Sequence, residues 1–478
     1  MKDFRKLTLN EKALRINLDN SIYGSFSEIG AGQDVAGTFF EAGGSSGTIA
    51  LSQSAYDMKI SDSIYGESPR YVSEHRLKAM LKHDYDALAE KLSHKADDKS
   101  FFAFSNTIET LNFHKTNQGH GWLGCRFQLT TGGPVNECIM HIKLHDTDTL
   151  LQQKAVGRIG VNLIYACYYH HDNLDDFLES LYDSISINRI EIDMFNIQGD
   201  DFEEIDNRIV SLKLVKNGFT PAAMFGPDGT NIQASEVLYK KNIIVLRGRF
   251  RPPTLVNVDM LLSGYRQFKQ EEDVNREKLM VLCELSLKNL MHKGENVDEK
   301  DFLDRVDILC SLGQTVMITN FQWYYQLATY LTNVNRGEKV GLILGVNNLA
   351  ALFDPSYYKH LKGGILEAFG RLFGRNVKLL VYPATNGSGD GLFNTDNFEV
   401  SKKLDGLYRF ILDNQKVEDI KQVNKELLTI YSDDVLDLIQ SDQEGWEAMV
   451  PNRVAKAIKK YGMFNYIKKA NKKKKEFS

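Results

Sequence analysis

Apolar runs that alternate with amphipathic runs are the feature that most constrains the fold of this chain. Between residues 161 and 198, "VNLIYACYY" is followed by "NLDDFLESLYDSI", whose apolar residues recur at helical spacing, and then by "RIEIDMFNI". We interpret this segment as a strand, a helix and a second strand. Such a unit predicts parallel strands joined by a right-handed crossover.

The alternation continues through the central part of the chain. Five runs there predict strands, and helical runs separate them: "IIVLRGRF", "KLMVLCELSL", "GQTVMITNF", "KVGLILGV" and "VKLLVYPA". Strands that are apolar on both faces are typical of a parallel sheet covered by helices. The chain therefore predicts an α/β fold with a Rossmann-like, mainly parallel sheet.

The length and the changes in composition predict several domains. A chain of 478 residues is long enough for about three. We expect a Gly- and His-rich α/β or α+β domain over residues 1–190 and the Rossmann-like domain over 191–400. A helical segment over 401–465 and a basic disordered tail over 466–478 follow.

The charge is concentrated at one end of the chain. Residues 453–478 hold ten Lys or Arg and one Glu, which gives this segment a net charge of +9, although the whole chain has a net charge of −5. The lysine run contains no aromatic residue for base stacking, so it is typical of a solvated tail. Apart from this tail, we expect no nucleic-acid partner, and the remaining candidates are a small-molecule ligand and a second copy of the chain.

The cysteines and the apolar runs indicate the compartment. Five cysteines without a C-x-x-C pair favour reduced, buried thiols over a disulfide framework or a zinc finger. The first 20 residues lack the apolar core of a signal peptide, and no uncharged apolar stretch approaches ~18 residues. These patterns predict a cytoplasmic protein with no membrane partner.

The segment "RGRFRPPT" lies where a predicted strand gives way to a predicted helix. Gly248 would let the backbone approach a ligand, and the amides at the start of the helix would face phosphate oxygens. Pro252 restricts the turn, while Arg247, Arg249 and Arg251 supply groups suited to phosphate. The alternative is a purely structural connection between a strand and a helix.

These residues resemble the G-x-F-x-P-x-T/H-x-G-H signature of the nucleotidyltransferase superfamily, and most closely that of the nicotinate- and nicotinamide-nucleotide adenylyltransferases. Gly248, Phe250, Pro252 and Thr254 match the signature. The Gly-His pair does not match, because Val256 and Asn257 occupy those positions. "SEVLYKK" and "GGILEAFGRLFG" extend the resemblance to bacterial proteins of similar length that carry this adenylyltransferase label.

The resemblance implies ATP and Mg²⁺ as cofactors and gives each residue of the turn a role. Asn257, Arg249 and Thr254 would be catalytic. Gly248, Phe250, Pro252, Arg247 and Arg251 would bind the nucleotide. Since Asn257 donates only a neutral hydrogen bond where the family uses histidine, the pattern favours nucleotide binding over efficient transfer of AMP to a mononucleotide.

Two other classes of function stay open. One is a self-associating or scaffold protein without catalytic activity that retains a degenerate nucleotide-binding fold. The other is a different enzyme whose chemistry lies in the Gly- and His-rich N-terminal half. The broken Gly-His pair and the missing second family signature favour the scaffold.

Three further segments are weaker candidates. The glycine-rich run over residues 30–48 would hold a phosphate, or would be a surface loop. His141 and His145, with His120 or His170, would bind a metal, or would be ordinary histidines. The helix after Gly363 and Gly364 would begin at an anion site, or would pack on the sheet with Leu366, Phe369, Leu372 and Phe373.

Two carboxylates in "RIEIDMF" stand out because they interrupt an apolar strand. Glu191 and Asp193 would share one face of that strand. One of them would serve as a magnesium ligand or a base, or they would have a helix-capping or partner-binding role.

Overall fold

A computed structural model of the chain describes residues 6–291, 296–374, 376–385 and 391–466. Two compact units divide the chain: unit 1 is Met1–Pro221 and unit 2 is Ala222–Ser478. Residues 191–221, which the sequence pattern placed in the second domain, therefore lie in unit 1. The predicted basic tail lies outside the described residues, except for Tyr466.

Over its described residues, from Lys6 onward, unit 1 contains six strands and seven α-helices. The strands are β1 (Ile22–Gly30), β2 (Ile49–Gln53), β3 (Ser100–Glu109), β4 (His120–Gln128), β5 (Val135–Leu144) and β6 (Ile190–Gln198). The helices are α1 (Leu9–Asn17), α2 (Val35–Ala42), α3 (Met58–Tyr65), α4 (Glu74–Lys91), α5 (Thr149–Tyr169), α6 (Leu174–Ser180) and α7 (Asn207–Lys216).

The strands of unit 1 form one mixed sheet in the order β2-β1-β3-β4-β5-β6. β1 is parallel to both β2 and β3, and the pairs from β3 to β6 are antiparallel. The main core lies between one face of this sheet and helices that include α1, α2 and α5. α4 packs against β1, β3 and β4.

One predicted strand of unit 1 is wrong. "VNLIYACYY" forms the second half of α5, so it cannot pair in parallel with β6, whose sheet neighbour is the antiparallel β5. Every residue from 159 to 168 of α5 is buried. A helix that is buried all round is apolar all round, so its sequence lacks the polar stripe that reveals a surface helix.

Unit 2 contains ten strands and ten α-helices among its described residues. The strands are β7 (Ala222–Phe225), β8 (Asn231–Ile232), β9 (Asn242–Arg247), β10 (Leu279–Ser286), β11 (Thr315–Thr319), β12 (Val340–Gly345), β13 (Val377–Tyr382), β14 (Ala384–Thr385), β15 (Leu392–Phe393) and β16 (Val417–Asp419). The helices are α8 (Ala234–Val237), α9 (Leu255–Phe268), α10 (Leu287–Leu290), α11 (Glu299–Ser311), α12 (Tyr324–Val334), α13 (Asn347–Leu352), α14 (Gly364–Phe373), α15 (Asp405–Asp413), α16 (Ser432–Gln440) and α17 (Asn452–Tyr461).

The main sheet of unit 2 has the order β16-β13-β12-β9-β10-β11-β7-β8. The strands from β16 to β11 are parallel, whereas β7 and β8 add an antiparallel edge. Counted from β9, the parallel strands stand in the order 3-2-1-4-5-6, which is the Rossmann arrangement. The predicted α/β class is confirmed, as are the five central strands.

Helices cover the sheet of unit 2, and a helical C-terminal region packs beside them. α12, α14 and α15 contribute to the core on one face, and α9 contacts β9 and β12. α16 and α17 pack around Trp446 and Ile308 of α11, which confirms the predicted helical C-terminal segment. In α14, Phe369 and Leu372 are buried, but Leu366, expected in the core, is 67% exposed.

Within residues 6–466, apart from the gaps given above, none of the helices is both long and apolar enough to cross a membrane.

Candidate functional site

A polar cavity opens at the carboxyl edge of the parallel sheet in unit 2. Its volume is about 420 Å³. The loops after β9, β10, β11 and β12 contribute to it, together with the start of α16. The wall is formed by residues 247–249, Ser286, residues 288–289, Gln322, Tyr324, Asn348 and residues 431–433. We call this space the polar cavity.

The inner wall of the polar cavity is built on a buried ion pair. The Arg247 guanidinium donates to Glu284 through Nε at 2.6 Å and Nη2 at 3.0 Å. Thr319 donates its hydroxyl to the same carboxylate. Glu284 is fully buried within β10, so its charge depends on these partners. Arg247 therefore has a fixed position and a largely neutralised charge.

Tyr324 lies next to this pair and covers it. The Arg247 guanidinium carbon is 5.0 Å from the centre of the Tyr324 ring. Burial raises the pKa of Tyr324 to about 12. The phenol is therefore neutral at physiological pH, and it adds an aromatic surface to the cavity without adding charge.

The outer wall of the polar cavity carries exposed charges. Arg249 Nη1 donates to both carboxylate oxygens of Asp433, at 2.9 and 3.0 Å, and both side chains are largely exposed. Lys288 is also exposed, and its Nζ lies 5.9 Å from the centre of the Tyr357 ring. Exposed pairs of this kind contribute little to stability, so Asp433 holds Arg249 only weakly.

Gly248 does not offer its amide to a ligand. That amide donates to the carbonyl of Glu284 at 3.1 Å and extends the pairing of β9 with β10. The carbonyl of Arg249 accepts from Arg305 at 3.1 Å. The turn therefore lines the polar cavity with protein groups that already have hydrogen-bond partners.

The second half of the turn faces away from the polar cavity. Arg251 pairs with Asp301 of α11 at 2.6 Å. Pro252 is buried, and Phe250 is only 2% exposed. Phe250 lines a second space, which we call the apolar cavity; its wall is formed by Leu246, Phe250, Pro253, residues 257–258, residues 261–262, Cys283, Leu309, Leu312 and Gln314.

Thr254 and Asn257 form a capping box at the start of α9. The Thr254 amide donates to Asn257 Oδ1 at 2.9 Å, and Thr254 itself is fully buried. Asn257 belongs to the wall of the apolar cavity. Of the three residues predicted to be catalytic, only Arg249 lines the polar cavity, so the structure does not bring the three together around one ligand.

Sequence reasoning missed Glu284, Thr319, Lys288 and Tyr324. One signal was present for Glu284, since "VLCELSL" contains a single carboxylate inside an apolar strand. The same pattern drew attention to Asp193. A lone charge in a buried strand requires a partner, and in β10 that partner is Arg247 of the neighbouring strand.

In the glycine-rich segment of unit 1, two amides at the start of α2 already have a partner within the protein. β1 ends at Gly30 and α2 begins at Val35. The amides of Val35 and Ala36 each donate to the Glu28 carboxylate at 3.0 Å. A carboxylate of the protein itself therefore binds the start of α2. Ser45–Gly47, within the stretch predicted to hold a phosphate, form a 3₁₀ turn in which the Thr48 amide donates to the Ser45 carbonyl at 3.0 Å.

Several of the candidate histidines and carboxylates of unit 1 contact other side chains of the protein. His141 Nδ1 lies 2.5 Å from Asp193, and its Nε2 lies 3.1 Å from His120. Glu191 accepts from Lys143 at 2.9 Å. Among the described residues, no three His, Cys, Asp or Glu side chains are arranged to hold a metal ion. His120 and His141 therefore have hydrogen-bonding neighbours within the protein, and Glu191 and Asp193 contact Lys143 and His141.

The third glycine-rich segment has the same kind of internal partner. The Gly363 amide donates to Glu367 Oε2 at 2.8 Å, and Glu367 also accepts from Arg371 at 2.6 Å. The start of α14 is therefore occupied by a side chain of its own first turn.

Comparisons with known proteins give a partial likeness. No family model and no curated protein matches the chain. Among solved structures, the competence/damage-inducible protein CihA from Agrobacterium tumefaciens is 19% identical with a TM-score of 0.24, and the match covers 34% of this chain and 98% of that one. A competence-damaged (CinA) superfamily protein from Enterobacter cloacae is 15% identical with a TM-score of 0.26, covering 35% and 96%.

Proposed function

We propose that unit 2 binds a nucleotide in the polar cavity, with the phosphate groups at Arg249 and Lys288. The observation that supports this most is the position of the cavity. In doubly wound sheets, ligands bind outside the carboxyl ends of the strands, at the point where the strand order reverses. Here that point lies between β9 and β12, and residues 247–249 and Asn348 line the cavity there.

The size and polarity of the cavity suit such a ligand. Its volume of about 420 Å³ falls within the ~300–1,000 Å³ of typical ligand sites. Two exposed cations lie at the rim, and a phosphate could accept two hydrogen bonds from Arg249 in place of Asp433. Mg²⁺ would accompany ATP, because it is usually held by substrate phosphates together with one or two carboxylates.

The turn "GRFRPPT" contributes in a different way from the one that its family signature implies. In the proposed site, Arg247 orients Tyr324 and Arg249 contacts the ligand, whereas Thr254 and Asn257 hold the start of α9. Adenylyl transfer to a mononucleotide such as that of nicotinate is therefore a separate, more specific hypothesis. The proposal that unit 2 binds a nucleotide does not depend on it.

Calorimetric titration of the full chain with ATP and Mg²⁺ at low salt tests the proposal. Lys288→Met and Arg249→Ala should each weaken binding at least about tenfold, since hydrogen bonds to charged groups contribute ~1.5–3 kcal/mol. Arg409→Met is the matched control, because Arg409 is an exposed arginine paired with Asp405 on α15, outside the polar cavity. Equal affinities for all three variants would refute the site.

Two further measurements separate the open classes of function. Release of pyrophosphate on addition of nicotinate mononucleotide would support adenylyl transfer. Absence of heat with ATP, together with a large assembly on a sizing column, would support the scaffold protein without catalytic activity.

A further inference from the structure

The apolar cavity of unit 2 has a wall of packed hydrocarbon. Its volume is about 230 Å³, and none of its lining residues belongs to the polar cavity. Leu246 and Cys283 come from the sheet, Leu261 from α9 and Leu309 from α11. Burial raises the pKa of Cys283 to about 12, so the thiol is neutral and acts as part of the apolar wall.

Phe250 closes one end of the apolar cavity at a conformational cost. Its φ is 47°, in the left-handed region that residues other than glycine rarely adopt. The ring folds back over Gly248, where an added methyl group would lie 2.9 Å from Phe250 Cζ. Backbone strain of this kind costs ~1–3 kcal/mol and concentrates at ligand sites. The surrounding structure therefore holds the ring in this place.

Asn257 brings one oriented donor to the apolar wall. Its Oδ1 is fixed by the hydrogen bond from the Thr254 amide, so Nδ2 occupies the other end of the carboxamide. Among the described residues, no acceptor contacts that Nδ2. The cavity thus combines a largely hydrocarbon wall with the Nδ2 donor of Asn257, whereas Nε2 of Gln314, the second carboxamide in the wall, donates to the Leu312 carbonyl at 3.3 Å.

We propose that the apolar cavity binds a small ring compound that carries a carbonyl-type hydrogen-bond acceptor. The ring packs against Leu246, Leu261 and Leu309, and the acceptor receives a hydrogen bond from Asn257 Nδ2. A dry cavity of ~150 Å³ in another protein holds benzene, so this larger one has room for a ring and a short substituent. The inference does not depend on nucleotide binding in the polar cavity.

Two probes of similar shape test the ligand class on the full chain. Acetophenone carries a carbonyl acceptor, whereas ethylbenzene lacks one. In titrations followed by ligand-observed NMR, we expect both to bind and acetophenone to bind about three- to tenfold more tightly, since one hydrogen bond contributes ~1 kcal/mol. Equal affinities, or no binding of either probe at millimolar concentration, would overturn the proposal.

Two variants locate the binding and separate its parts. Leu262 lies at the mouth and is 48% exposed, so Leu262→Trp should block both probes while the chain stays folded. Asn257→Asp keeps an oxygen for the Thr254 amide but removes the donor. It should abolish the preference for acetophenone and leave ethylbenzene binding unchanged.

The controls keep this proposal distinct from the nucleotide site. Circular dichroism melting of each variant verifies folding, and the ATP titration of Leu262→Trp should match that of the wild type. Probe binding that survives Leu262→Trp would place the probes elsewhere and refute the cavity as their site.

Discussion

The most consequential single contact in unit 2 is the ion pair of Arg247 and Glu284. Glu284 is fully buried, and the Arg247 side chain is 8% exposed. Taking both charges out of water is costly, and two hydrogen bonds together with Thr319 offset that cost. The pair therefore fixes the local arrangement of β9, β10 and β11 more than it adds net stability.

Removal of one partner should reveal how costly this burial is. Glu284→Ala should lower the free energy of unfolding by about 3–5 kcal/mol, because Arg247 would be left buried without its carboxylate. Glu284→Gln retains an acceptor and should cost less. Denaturant unfolding followed by circular dichroism measures both. The control is Arg409→Ala at an exposed pair, which should cost under ~1 kcal/mol.

A cost for Glu284→Ala that equals the cost of Arg409→Ala would contradict the buried-charge argument.

Glu284 also shows what the sequence could predict at this scale. A carboxylate inside an apolar strand was readable, but its partner lies 37 positions earlier. Only the pairing of β9 with β10 brings the two together, and that pairing is a property of the sheet.

At the scale of elements, the turns that contain glycine explain why the sequence pattern was a poor guide to anion sites at helix starts. Phosphate or anion sites were predicted at three such segments: within residues 30–48, at residues 247–254, and at Gly363 and Gly364. In the structure, Glu28 accepts from the start of α2, Asn257 from the amide of Thr254 before α9, and Glu367 from Gly363 before α14. A nearby side-chain acceptor decides whether a helix start is open to anions, and glycine spacing does not reveal it.

The helix cap supplied by Glu28 should make stability depend on pH. Burial raises the pKa of Glu28 to about 7, despite the amides of Ala36 and Val35 that favour its charged form. In the unfolded chain a glutamate has a pKa of about 4.3. Between these values the folded state binds more protons than the unfolded state, so stability falls as pH rises.

Glu28→Gln should remove this dependence. From pH 5 to pH 8, the wild type should lose up to about 3 kcal/mol more unfolding free energy than the variant, given 1.36 kcal/mol for each unit of pKa shift. Urea unfolding at both pH values measures the difference. Glu41→Gln, an exposed change on the same helix, should behave as the wild type does. Parallel pH profiles for wild type and Glu28→Gln would refute the assignment.

Element type was predictable wherever the periodicity was clear. The five central strands and the helices α11 and α12 follow from their apolar patterns, and so does α14. The prediction of a strand at "VNLIYACYY" was wrong because this helix is buried on all sides and therefore has no polar stripe. Within this helix, the continuous apolar pattern was the same one that identified the buried strands of unit 2, so the local sequence could not separate the two cases.

At the scale of the whole molecule, each of the two units has its own main core. One contains Phe104 and Leu163 of unit 1, and the other contains Val245 and Leu342 of unit 2. The boundary after Pro221 was hard to predict, because β6 resembles the strands of unit 2 and only its pairing with β5 assigns it to unit 1. The composition of a strand does not specify which strand it pairs with in a sheet.

Two cores predict two unfolding events. In differential scanning calorimetry of the full chain, we expect more than one transition, since large chains with separate cores depart from two-state behaviour. Glu284→Ala should lower the midpoint of only one transition, by roughly 2–4 °C for each kcal/mol lost. At pH 8, Glu28→Gln should change the midpoint of only the other transition. If both variants shift one and the same transition, with equal calorimetric and van't Hoff enthalpies, the two units unfold together and the cores are not independent.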